Sequence, residues 1–198
     1  MLVMKKLIIL IIGIALYTFL LNVFCSLYLA DVYNSQSKTY LGKGEFVKAK
    51  KYSDMTTREN PREPSYYRYK AKVMLAELGL GVQDASAIKK EINSQLTKSQ
   101  ELNNKNLTTL RNIIPLYYFL ALTDITADRG PENIDEVYLK VARDYYQYLK
   151  DTYPNDLGII TDVAEYERKL YLNEEYSDSV EMVKNLRPEI INWHKAFN

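Results

Sequence analysis

"YNSQSKTYLGKGEFVKAKKYSDMTTRENP", residues 33–61, decides how this chain folds. Tyr33 and Tyr40 stand seven apart, which places both on one face of a helix. Gly44 interrupts the pattern. Phe46 and Ala49 then open a second helical run, and Pro61 closes it because proline lacks an N–H and fixes its φ. The stretch therefore reads as two amphipathic helices joined by a tight turn, with a small residue, Ala49, where the helices approach. Such a hairpin cannot bury its apolar face alone and needs neighbours stacked on it.

Counted from Ala30, the stretch resembles the tetratricopeptide repeat, a unit of about 34 residues. Tyr33 falls in its tryptophan slot, Tyr40 in its tyrosine slot, Ala49 in its small-residue slot and Pro61 in its closing slot. Ser37, Ser53 and Thr56 depart from the pattern. Similar units follow. After "PREP", Tyr67 and Ala71 stand four apart, and Ile88, Ile92, Leu96 and Ser99 recur at helical spacing. "LTTLRNIIPLYYFLALTDI" carries the stripe Leu110, Ile113, Tyr117 and Leu120, with a kink or a helix start expected at Pro115. Pro131 suits the first turn of the next helix, in which Ala142, Tyr146 and Leu149 pack and Pro154 ends the unit. A last pair carries Ile160, Val163, Tyr166 and Leu170, then Tyr176, Ser179, Val183 and Leu186. "PEIINWHKAF" reads as a terminal helix capping the stack, with Trp193 sealing it and His194 exposed beside it. The expected fold is all-α: an N-terminal transmembrane helix, then an α-solenoid of about four helix pairs and a capping helix.

Ahead of the repeats, "LIILIIGIALYTFLLNVFCSLYLA" runs from Leu7 to Ala30 without a charge. Its 24 residues exceed the roughly 20 needed to cross a ~30 Å hydrocarbon core. Lys5 and Lys6 precede it and Asp31 follows, so the positive-inside rule keeps the N-terminus cytoplasmic and sends the rest across. A cleaved signal peptide has a shorter apolar region and a small-residue exit, and "NVFCS" is a poor exit, so an uncleaved signal-anchor is expected. Cys25 is read as an inert apolar residue near the outer end, with palmitoylation the alternative. Residues 1–30 are thus a cytoplasmic stub and anchor, and residues 31–198 the repeat domain. No linker separates them, so the crossing helix is expected to continue into the first repeat.

Composition narrows function. Lys and Arg number 26 against 25 acidic residues, a balance that argues against nucleic acid as partner. The 18 tyrosines read chiefly as packing residues at helix interfaces. A single Cys and a single His leave no histidine cluster and no multi-cysteine metal set, so neither a metal nor another cofactor is expected. "YLGKGEF" lacks the spacing of a phosphate loop and reads as an interhelix turn. Asp162, Glu165 and Glu167 read as a solvated helix face, and Arg58 and Arg62 as a charged corner between repeats. "NLT" at Asn106 fits a glycosylation sequon. No nucleophile–base pair emerges, so no catalytic residue is assigned and no enzymatic activity or small-molecule substrate is expected. The expected role is protein–protein interaction, with another membrane or envelope protein as partner. Tyr33, Tyr40, Tyr67, Tyr69 and Lys70 are the candidate groove residues, because first helices of such repeats line the concave face.

One further resemblance covers nearly the whole chain. A hydrophobic segment runs directly into "LADVYNSQSKTYLGKGEFVKAKKYSDMTTRENPREPSYY", followed by a degenerate pair, the longer unit "EVYLKVARDYYQYLKDTYPND" and the pair "NEEYSDSVEMV". This order resembles the C-terminal tail of O-antigen ligase/polymerase-like membrane proteins. Their many membrane helices and catalytic loop have no counterpart here. The resemblance implies an accessory or regulatory subunit of envelope-polysaccharide ligase or polymerase machinery.

Overall fold

The structure is a computed structural model describing residues 2–81 and 84–197. It is helical throughout, with one isolated bridge between Leu122 and Ile134 as the only extended pairing among the described residues. Helix α1 spans Leu2–Gly42, 41 residues, and carries the apolar run and the segment from Asp31 to Gly42 without a break. It is long and apolar enough to cross a membrane, and its apolar window is wholly unburied by the rest of the protein.

The remaining helices follow as α2 (Phe46–Glu59), α3 (Pro64–Leu78), α4 (Ala85–Leu102), α5 (Leu107–Arg111), α6 (Ile114–Leu120), α7 (Glu136–Thr152), α8 (Leu157–Lys169) and α9 (Asn173–Leu186). α1 packs on α2, α3 on α4, α6 on α7 and α8 on α9. Local chemistry sets the boundaries. Asp84, Asn106, Asp135 and Asp156 accept backbone N–H bonds at the starts of α4, α5, α7 and α8. The carboxamide of Asn106, the sequon residue, is thereby engaged as a helix cap. Gly44 turns α1 into α2 with φ 73°, closing a Schellman motif in which its N–H bonds Leu41 and that of Glu45 bonds Tyr40. Tyr171 does the same after α8 at φ 59°, a conformation that usually selects glycine, and its hydroxyl donates to the Arg129 carbonyl.

Small residues sit where helices cross. Ala30 and Ala49 are fully buried, and the Ser37 hydroxyl donates to the Ala49 carbonyl at 2.7 Å. Ala71, Ser99, Ala142 and Ser179 are likewise buried. One apolar cluster joins α3, α4, α6, α7 and α8 through Met74, Ile92, Leu96, Ile114, Leu149 and Ile159. Tyr145 and Tyr146 of α7 donate to the carbonyls of Leu110 and Ile114, tying α7 to α5 and α6. Burial pushes both phenols above the ordinary tyrosine range.

Pro115 lies in the first turn of α6, so the expected interruption is a new helix start. Two expectations at the other boundaries are corrected. Pro131 opens a 3₁₀ turn, Pro131–Asn133, rather than α7, because Asn133 turns inward to bond Asp124 and Asp128 and Asp135 caps α7 later. The terminal segment forms a 3₁₀ turn at Pro188–Asn192 rather than a capping α-helix, and Trp193 is 67% exposed. Ile190 and Ala196 are the buried residues there, with Phe197 packed against the same small cluster, and His194 is half-buried.

Candidate functional site

The candidate site is a groove of about 460 Å³ bounded by α1, α3 and the α5–α6 break. Asn34 and Lys38 come from α1; Ser65, Arg68, Tyr69 and Lys72 from α3; Asn112, Pro115, Leu116 and Phe119 from the α5–α6 break and α6. Helical spacing explains the membership: 34 and 38 lie one turn apart, as do 65, 68, 69 and 72. The α5–α6 break turns Asn112 and Pro115 to the groove wall while Ile113 and Ile114 are fully buried.

α3 lies alongside α1. The Tyr66 hydroxyl donates to Asp31, and the Lys38 ammonium sits 5.7 Å from the centre of the Tyr69 ring. Burial, followed by the bond to Asp31, pushes the Tyr66 phenol well above its ordinary value. The groove contains three cationic side chains, Lys38, Arg68 and Lys72, and no carboxylate. None of the three forms a salt bridge among the described residues, and burial holds the Arg68 guanidinium below its ordinary value. The Asn34 Oδ1 is buried without a hydrogen-bond partner.

An adjoining cleft of about 380 Å³ shares Asn112 and Pro115 and extends to α8 and the C-terminal turn. Its charges are matched: Arg111 pairs with Asp162 at 2.7 Å, and Glu165 takes both Lys169 and Lys195. Burial pushes the Glu165 carboxyl up, but the two ammonium groups outweigh it and hold the carboxyl below its usual range. The expected solvated face is therefore corrected. Asp162 is paired, Glu165 is buried, and Glu167 is 1% exposed. Glu167 bonds Lys150 at 2.8 Å and accepts from the Ser179 hydroxyl at 2.6 Å, tying α7, α8 and α9 together. Neither partner is recognisable from spacing alone, since each stands in its own amphipathic pattern and only packing brings them together.

The candidate groove residues separate. Tyr69 lines the groove. Tyr33 and Tyr40 both pack on Tyr52 of α2, Tyr40 stacked at 5.3 Å and 5°. The Tyr67 hydroxyl donates to the Pro61 carbonyl, on a shallow surface shared with α4. Lys70 bridges Asp54 of α2, at 2.7 Å, and Glu91 of α4, at 3.4 Å. Tyr33, Tyr40 and Lys70 thus make contacts between neighbouring helices, and Tyr67 bonds the turn ahead of its own helix. Arg68 and Lys72 were missed in sequence because an exposed-looking basic residue carries no signal until its neighbours lack acids.

No protein-family model matches the chain, and no curated protein matches it.

Proposed function

We propose that this protein is a membrane-anchored helical scaffold whose stacked helix pairs form a short solenoid, holding a protein or peptide partner at the extracytoplasmic membrane surface. The observation that carries the reading is the division of labour among the helices. α1, α3, α5–α6 and α8 contribute to the two adjoining clefts, while α2, α4, α7 and α9 back them. Small residues at the crossings, Ser37 with Ala49 above all, let the two helices of a pair approach as those of a repeat unit do. The continuous α1 would hold the clefts close to the bilayer, and Lys5 and Lys6 orient it with the N-terminus inside. The role is one of binding rather than catalysis.

The test is photo-crosslinking in cells. A crosslinking residue placed at Thr108 or Tyr166, which line the cleft of matched charges, is expected to capture one defined protein, and the same residue at Val137 on α7 is not. Equal capture at all three positions sinks the reading. If the captured protein is a multi-spanning glycan polymerase or ligase, the scaffold is an accessory subunit of that machinery, the role implied by the O-antigen ligase resemblance.

A further inference from the structure

We infer that the groove between α1 and α3 is a binding site for the phosphate of an anionic phospholipid headgroup, taken from the membrane that α1 crosses. The inference rests on reading α1 as a membrane span. Position, charge and the groove's polar lining argue for it.

Position comes first. The apolar run ends at Ala30, and the helix continues unbroken. At about 1.5 Å per residue, Asn34 stands roughly 6 Å and Lys38 roughly 12 Å beyond that end. The headgroup layer is about 5–7 Å thick on each side of the hydrocarbon core. Tyr66 meets Asp31 and Tyr69 meets Lys38, so Arg68 lies between those two levels, at the height of the phosphates.

Charge comes second. Arg68 is half-buried and the groove supplies no carboxylate, whereas the adjoining cleft pairs its charges internally. Glu63, which also accepts the Ser65 N–H at the start of α3, acts on Arg68 electrostatically but forms no salt bridge with it. A half-buried guanidinium without a salt bridge suits a phosphodiester, which matches its fork of donors. Lys38 and Lys72 flank it as point charges.

The third argument is the lining itself, in which Asn34 and Ser65 add polar side chains beside the three cations. A headgroup hydroxyl, as on glycerol, finds hydrogen-bonding partners of that kind there. Leu116, Phe119 and Pro115 give the groove an apolar wall for the lipid's glycerol backbone.

The experiment is native mass spectrometry of the full chain in mild detergent, titrated with phosphatidylglycerol or phosphatidylcholine. Phosphatidylglycerol is expected to bind at least about tenfold more tightly. Arg68→Gln with Lys72→Gln is expected to abolish that preference, and Lys38→Gln alone to weaken it. Lys140→Gln with Lys184→Gln, an equal loss of charge elsewhere, is expected to leave it unchanged. Circular dichroism verifies that each variant keeps its helix content, and Lys38→Gln keeps the test decisive should the double variant not fold. Equal binding of the two lipids, or an equal loss in the remote double variant, overturns the inference. So does preferential binding of soluble glycerol 3-phosphate or of an acidic peptide, which would assign the groove to a ligand from solution. Alkaline carbonate extraction of the same variants tests the span separately: a chain that leaves the membrane fraction refutes the anchor, whatever the groove binds.

Discussion

Lys150 and Glu167 show how far one residue's role depends on what surrounds it. Their side chains are 3% and 1% exposed, and Ser179 and the Glu175 carbonyl complete the shell. Removing one partner strands a buried charge, so Lys150→Ala should cost about 3–5 kcal/mol in urea unfolding of the detergent-solubilised chain. Replacing both with apolar residues, Lys150→Met with Glu167→Leu, should be close to neutral, because the desolvation cost disappears with the pair. Glu165 supplies a pH test. Its carboxyl is held low in the folded state, so its contribution is present above the unfolded value of about 4.3 and is lost as pH falls through the lower folded value. Glu167 has the opposite sign, since burial, outweighing the bond to Lys150, raises its carboxyl and the folded state holds the proton more tightly. Unfolding midpoints taken from pH 6 to pH 3 should therefore fall less steeply in Glu165→Gln than in the wild type.

At the scale of elements, the seam between α1 and α2 is set by size. Ala49 is fully buried, with the Ser37 hydroxyl on its carbonyl, and no room is left for a longer side chain. Ala49→Leu should cost about 1–3 kcal/mol, read as a lowered urea midpoint, because overpacking forces the helices apart. The segment after α6 is held by polar contacts as well as by Leu122 and Ile125 on the core. Lys89 donates to the Leu122 carbonyl at 2.6 Å and to Asp135 at 2.8 Å, while Asn133 bonds Asp124 and Asp128. Asp135→Ala removes the α7 cap and the Lys89 partner together. It should expose residues 122–134 to limited proteolysis while α3 and α4 stay protected.

For the whole molecule, the distribution of core predicts the order of opening. The main cluster spans α3 to α8, whereas the C-terminal end rests on Ile160, Val183 and Ile190 with a few half-buried neighbours. Hydrogen exchange should accordingly be faster in residues 186–197 than in α4 and α7, because fewer buried apolar contacts resist local opening there. Slower exchange in the C-terminal segment than in α7 would contradict that ranking.

Periodicity and breakers were enough to read the helical class, the unbroken run from the apolar segment into α1, and the turns at Gly44 and Pro115. These are local: each depends on side chains within a turn or two and on backbone freedom at one residue. Spacing also exposed the small residues at the crossings, because a helix can approach another closely only there. Partnership across elements was not legible. Glu165 and Glu167 read as a solvated helix face and Trp193 as a plug, and nothing in the local pattern marks the partners of Lys70, Lys89 or Lys150. Which basic residues meet a carboxylate, and which three converge without one, depends on contacts between residues dozens of positions apart. Those contacts exist only once the helices have packed. The sequence by itself thus determined most of the helices and the long apolar run of α1, and tertiary packing decided where charge is buried, where it is paired, and where Arg68 is left facing an open groove.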